Sequence, residues 1–262
     1  MLESRWGTAL AAALALTVAL AIAGVASAGS RTISLGEGPE FSAGFSFSPK
    51  RLAARTYSPG ALRLEGRLRT EFTREFVTPA RELRIETDRD LSVDVEGYPT
   101  CSHRQLSPTA STREALEACR EALIGRGQVE FQLDIVETLL TASSRLLVFN
   151  GGTRNGVTTL YFHAYVTIPV PAAIVGTAKI RKVNDGTHGL KTTVTIPKIV
   201  RGAGSLTSLQ LTIQKRFSRT GEQASVISAR CPHGRLEARV IASLADGTNF
   251  HHELIRTCSS RR

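Results

Sequence analysis

The feature that most constrains this chain is a period-two alternation of apolar and charged residues. Leu62, Leu64 and Leu68 alternate with Arg63, Glu65, Arg67 and Arg69, and Leu91, Val93 and Val95 alternate with Ser92, Asp94 and Glu96. Successive side chains of an extended strand point to opposite faces, so this pattern describes strands with one buried face and one wet face. Ser58-Pro59-Gly60, Thr78-Pro79 and Gly97-Tyr98-Pro99 punctuate the strands as turns. The alternation resumes at Val129, Phe131, Leu133 and Ile135. Apolar runs follow at 145–150 and 160–168, with further strands expected at 174–182, 190–196, 206–217 and 224–231. The expected fold is all-β, an antiparallel β-sandwich with one short helix near 111–124.

That helix has its own signature. Ser111 is placed as an N-cap with Glu114 three residues on, the spacing of a capping box. Ala115, Leu116, Ala118, Cys119, Ala122 and Leu123 then recur at three- and four-residue steps, and Gly125 fits a stop. Cys119 falls on the apolar face.

The first 28 residues set the compartment. Arg5 precedes an uncharged apolar stretch from Thr8 to Ala28 that ends Ala26-Ser27-Ala28, the form of a signal peptide with a small-x-small cleavage site. The competing reading is an uncleaved anchor, since the apolar run approaches membrane-spanning length. Cleavage leaves residues 29–262, expected as a single β-rich domain with a conceivable subdivision near 127. No transmembrane anchor is expected to remain in it.

All four cysteines lie beyond that segment: Cys101, Cys119, Cys231 and Cys258. In an oxidising setting they are expected to pair. Cys101 with Cys119 pins the helix to the strand structure. In the last segment Cys231-Pro232-His233-Gly234 turns the chain, 235–244 runs back, and Asp246-Gly247 forms a hairpin turn into 248–258. A three-strand meander of that kind brings Cys231 and Cys258 to the same end. A zinc site is the rival, and neither pair has the close spacing such sites use.

Several landmarks together resemble a family of secreted proteins from high-GC Gram-positive bacteria. They are Phe47-Ser48-Pro49-Lys50-Arg51-Leu52, Gly97-Tyr98-Pro99-Thr100-Cys101, Cys119 leading into Ile124-Gly125-Arg126-Gly127, Phe149-Asn150-Gly151, Ile196-Pro197, and the Cys231 to Cys258 hairpin. The resemblance implies export and a disulfide-clipped β-rich domain, and it carries no activity over.

Charge is uneven. Residues 29–127 hold 15 Lys/Arg against 14 Asp/Glu, whereas residues 128–262 hold 17 against 8, a net of +9. A basic half of this kind could meet an acidic envelope polymer or glycan. The plainer reading is an arginine-rich composition, since arginine also dominates the balanced half.

Catalytic signatures are missing from the sequence. There is no G-x-S-x-G and no H-E-x-x-H, and His251-His252-Glu253 puts neighbours on opposite strand faces. Cys101-Ser102-His103 reads as a disulfide cysteine beside a surface histidine rather than a thiol nucleophile. No metal or cofactor is expected. Tyr161, His163 and Tyr165 share one strand face opposite Leu160, Phe162, Ala164 and Val166, and could form a binding stripe for sugar rings or bases. The alternative is that both faces of this strand are buried. The function expected is therefore an exported, non-enzymatic binding or envelope-associated module. The alternatives are an extracellular hydrolase acting on a polymer and a structural protein of the cell surface.

Overall fold

The structure, a computed structural model, describes residues 31–33, 39–70, 75–135, 138–167, 171–219 and 221–261. The segment Thr8–Ala28 read as a signal peptide lies outside the described residues.

Among the described residues twelve strands form one sheet. In chain order they are β1 (Arg31–Ile33), β2 (Glu40–Ser48), β3 (Ala61–Arg69), β4 (Ala80–Asp88), β5 (Leu123–Ile135), β6 (Thr138–Arg154), β7 (Val157–Val166), β8 (Ala172–Asp185), β9 (His188–Thr195), β10 (Gly204–Ile213), β11 (Arg235–Leu244) and β12 (Asn249–Thr257). Their order across the sheet is β1-β2-β3-β10-β5-β6-β7-β8-β9-β4-β11-β12, and every pairing in it is antiparallel. The fold is all-β, as the alternation predicts. Its facing layers are halves of one strongly coiled sheet rather than two separate sheets. Strand twist accumulates over so many strands until the sheet curls, and here β12 comes round to face β2, with the Phe41 and Phe250 rings 5.8 Å apart.

Alternation decides which side chains fill the inside. Phe41, Ala43, Phe45 and Phe47 of β2 point inward, as do Leu236, Ala238, Val240, Ala242 and Leu244 of β11, and all are buried. Each large aliphatic residue buried this way contributes about 1.5–3 kcal/mol. Strand β5 runs unbroken through residue 127 and pairs there with both β6 and β10. Gly127 is required at that crossing: a Cβ would lie 2.0 Å from the Gln210 carbonyl oxygen. The Ile124-Gly125-Arg126-Gly127 motif thus serves close strand approach rather than a turn.

One end of the coiled sheet is plugged. Short strands Ser58–Pro59, Ile227–Ala229 and Leu91–Val93 form a three-stranded patch there, and Leu52, Leu91, Val226 and Ile227 are buried beneath it. The Cys231–Cys258 disulfide ties this plug to the end of β12. The meander expected at 224–258 is only partly formed. β11 and β12 make the hairpin, but the other edge of β11 is taken by β4, and Ile227–Ala229 joins the plug instead.

Among the described residues two α-helices lie on the outer surface: α1 (His103–Leu106) and α2 (Thr112–Cys119), the latter capped by the Ser111 hydroxyl on the Glu114 N–H. A 3-10 turn at Arg120–Ala122 follows, and β5 begins at Leu123, so Gly125 lies inside a strand. The Cys101–Cys119 disulfide closes this cap. Leu106, Ala115, Ala122, Leu147 and Phe149 make a second buried cluster between the helices and the outer face of β6.

Candidate functional site

Inward-facing residues do not fill the coiled sheet completely. They line a cavity of about 150 Å³. Its wall is made by Phe41 and Phe45 of β2, Leu62 and Leu64 of β3, Ile85 of β4, Leu160 and Phe162 of β7, Ala178 and Ile180 of β8, Val194 of β9, Leu211 of β10, Ala238 and Val240 of β11 and Leu254 of β12. Protein interiors normally pack as densely as organic crystals. A void of this size lined by hydrocarbon stays dry and accepts an apolar guest; an engineered 150 Å³ cavity lined by Leu, Ile and Phe binds benzene. Polar residues are the minority of the lining: Thr87, Thr192, Thr207 and Ser208, with the charged Glu65, Arg67, Asp88 and Glu237.

The strand carrying the sequence stripe divides its two faces between two buried layers. Leu160 and Phe162 line the cavity, while Tyr161, His163 and Tyr165 face outward. The helical cap covers part of that outer face. His163 is fully buried, and its Nε2 lies 2.8 Å from the Thr109 hydroxyl. That hydroxyl donates to the Leu106 carbonyl at 2.7 Å, so it accepts from Nε2–H. His163 Nδ1 has no partner, and burial pushes the ring's pKa down. Tyr161 packs into the cap cluster, with the His103 ring at 6.1 Å, and Tyr165 is half-buried with its N–H donating to the Ser144 hydroxyl at 2.9 Å. The three residues are therefore brought together on one face, with His163 closed off from solvent.

Two polar clusters lie near the plugged end. Glu86, Asp185 and His188 place one donor atom each within 4.8 Å of one another. The Glu86 carboxylate, however, is already held by Lys191 at 3.6 Å and Arg239 at 3.3 Å, which removes the charge a divalent ion would need. The second cluster is an open basin whose charged and titratable lining is Arg55, Asp88, Arg89, Asp90, Arg230, His233, Arg235 and Glu237. Arg230 pairs with the nearly buried Asp90 at 2.6 Å and Arg235 with Glu237 at 2.5 Å. Burial, followed by the neighbouring Asp90 and Glu237 charges, raises the Asp88 carboxyl. The signs are mixed, and two of the arginines are paired with carboxylates of the basin.

All four cysteines are in disulfides, Cys101 with Cys119 and Cys231 with Cys258. Cys101 is thus no nucleophile. His252 points inward and is buried, while His251 and Glu253 are exposed on the other face. Among the described residues no helix is long and apolar enough to cross a membrane. Sequence alone does not bring Phe41, Phe45, His252 and Arg256 together, although β2 and β12 meet there. A signal was present: Phe250, His252, Leu254 and Arg256 share one strand parity, so a histidine and an arginine stand in an otherwise apolar stripe.

No family model, curated protein or solved structure matches the chain.

Proposed function

We propose that the protein is an exported binding module that holds a small apolar molecule, of about the size of a benzene ring or a short hydrocarbon chain, inside its coiled sheet. The observation that carries this reading is the hydrocarbon-lined cavity of about 150 Å³ inside the coiled sheet. Export is supported by the Thr8–Ala28 pattern and by two disulfides, which persist in oxidising compartments. The acidic-polymer reading has less behind it. On the outer face of β4, β9, β11 and β12 the cations Arg84, Lys191 and Arg239 are each paired with a carboxylate.

Calorimetric titration of the purified chain with n-butylbenzene, at low and high salt, tests the reading. Saturable one-to-one binding that is insensitive to salt is expected, since burial of apolar surface is not screened. Absence of saturable binding, together with salt-sensitive binding of an anionic glycan, would replace it with the polymer reading.

A further inference from the structure

We propose that the cavity is reached sideways, through the seam between β2 and β12, and that this seam is its gate; the proposal rests on the cavity reading above. Neighbouring strands elsewhere in the twelve-stranded order are joined by backbone ladders. Between β2 and β12 the described residues show none. β1 takes the edge of β2 only at 41–43, and the segments 51–53 and 259–261 pair in a short parallel ladder beyond the two strands. Along the stretch between these, side chains close the gap. The Arg256 Nε donates to the Phe45 carbonyl, which a partner strand would otherwise occupy. The guanidinium lies 5.9 Å from the Phe45 ring centre, and the Phe41 ring meets His252 at 5.2 Å.

The groups at this seam gain water partners when it opens. Arg256 has no carboxylate at ion-pair distance among the described residues, and burial pushes its pKa down; returning it to solvent recovers lost hydration. His252 is 2% exposed, its ring nitrogens make no well-formed hydrogen bond, and the polar group acting on the ring is the Phe41 backbone. A buried polar group without a partner is costly, so exposure offsets the loss of the Phe41 contacts. An arginine turned inward on an edge strand also blocks pairing with another chain. Phe41, Phe45 and Leu254 belong both to the seam and to the cavity wall. Separating the two strands by a side-chain width therefore joins cavity to solvent. The plugged end has no such freedom, because Cys231–Cys258 holds it covalently.

Two buried histidines allow a test in the wild-type protein. His252 sits at the seam, whereas His163 sits beneath the helical cap, and both are almost inaccessible. Diethyl pyrocarbonate labelling read by peptide mass spectrometry is expected to modify His252 at least tenfold faster than His163, which reports global unfolding. Equal rates would overturn the gate. In Arg256→Met, 19F exchange NMR with fluorobenzene should show association and dissociation both about tenfold faster, with Kd changed less than about threefold. Unchanged rates with fluorobenzene still bound would place the route elsewhere and overturn the proposal. If the wild-type chain binds no fluorobenzene, the cavity reading falls and the gate falls with it. Should Arg256→Met fail to fold, the wild-type labelling ratio decides alone.

Discussion

The Asn150 side-chain amide donates to the Tyr98 carbonyl at 3.1 Å and to the Pro99 carbonyl at 3.0 Å, joining residues about fifty positions apart in the chain. Its Oδ1 accepts from the Gly152 N–H at 2.8 Å, and its own carbonyl accepts from the Cys101 N–H at 2.8 Å. A fully buried amide is thus completely satisfied. Asn150→Ala strands two carbonyls and one N–H, and is expected to cost about 2–4 kcal/mol. Asn150→Asp should cost more, because an acceptor then faces two acceptors. Urea denaturation of both variants measures the difference; a smaller loss for the aspartate would contradict this account.

Acid should weaken the fold through two histidines. Burial lowers the pKa of both His163 and His252 in the folded state. The unfolded chain therefore takes up protons first as pH falls through about 6.5. Their contribution is complete above that value and is lost as pH drops below it, by up to about 1.4 kcal/mol per pH unit for each ring. Denaturation midpoints between pH 8 and 5 provide the check. Replacing both rings with Gln should flatten the acidic limb.

The Asp90–Arg230 pair is asymmetric, with side-chain exposures of 4% and 32% respectively. Arg230→Ala abandons a carboxylate in the interior and is expected to cost about 3 kcal/mol. Asp90→Ala frees a guanidinium that can turn to solvent, so about 1 kcal/mol is expected. Equal losses in thermal unfolding would show that exposure does not govern this pair.

Filling the cavity should separate binding from folding. Ala238 and Ala178 both contribute to the wall. Ala238→Leu places extra carbons in empty space, so the fold is expected to hold or gain slightly, within about 1 kcal/mol. Affinity for n-butylbenzene should fall at least about tenfold. Retained affinity would mean that the guest sits elsewhere.

Each disulfide closes a loop of moderate length, with separations of 18 and 27 residues. Loop-closure entropy assigns each about 3 kcal/mol. Replacing Cys231 and Cys258 together by Ser should lower stability by that order and loosen the plug. Limited proteolysis is then expected to cut near Pro232 first.

Local patterns revealed individual elements well. Charge alternation along 61–69 marks β3 because charged residues are cheap only on a wet face. Ser111 and Glu114 mark the start of α2 because free N–H groups there need acceptors. Strand partnership was not legible: nothing around Leu209 says that β10 lies between β3 and β5. The hollow was equally hidden, since Leu and Ile alternate identically over a packed or an unfilled interior. Alanines at inward positions 178, 238 and 242 were the available hint. Tyr161, His163 and Tyr165 were legible as a shared face, but the cap over His163 depends on contacts with Leu106 and Thr109, which are distant in sequence.

Strand β10 has a consequence for how the molecule is made. The outer edge of the β2–β3 hairpin and one edge of β5 both wait for residues 204–213 before they find a partner. A nascent chain therefore carries two unsatisfied strand edges until most of its length has been synthesised. Closure late in biogenesis keeps the polypeptide pliable for longer, and it makes prolonged exposure of those edges the stage most vulnerable to aggregation.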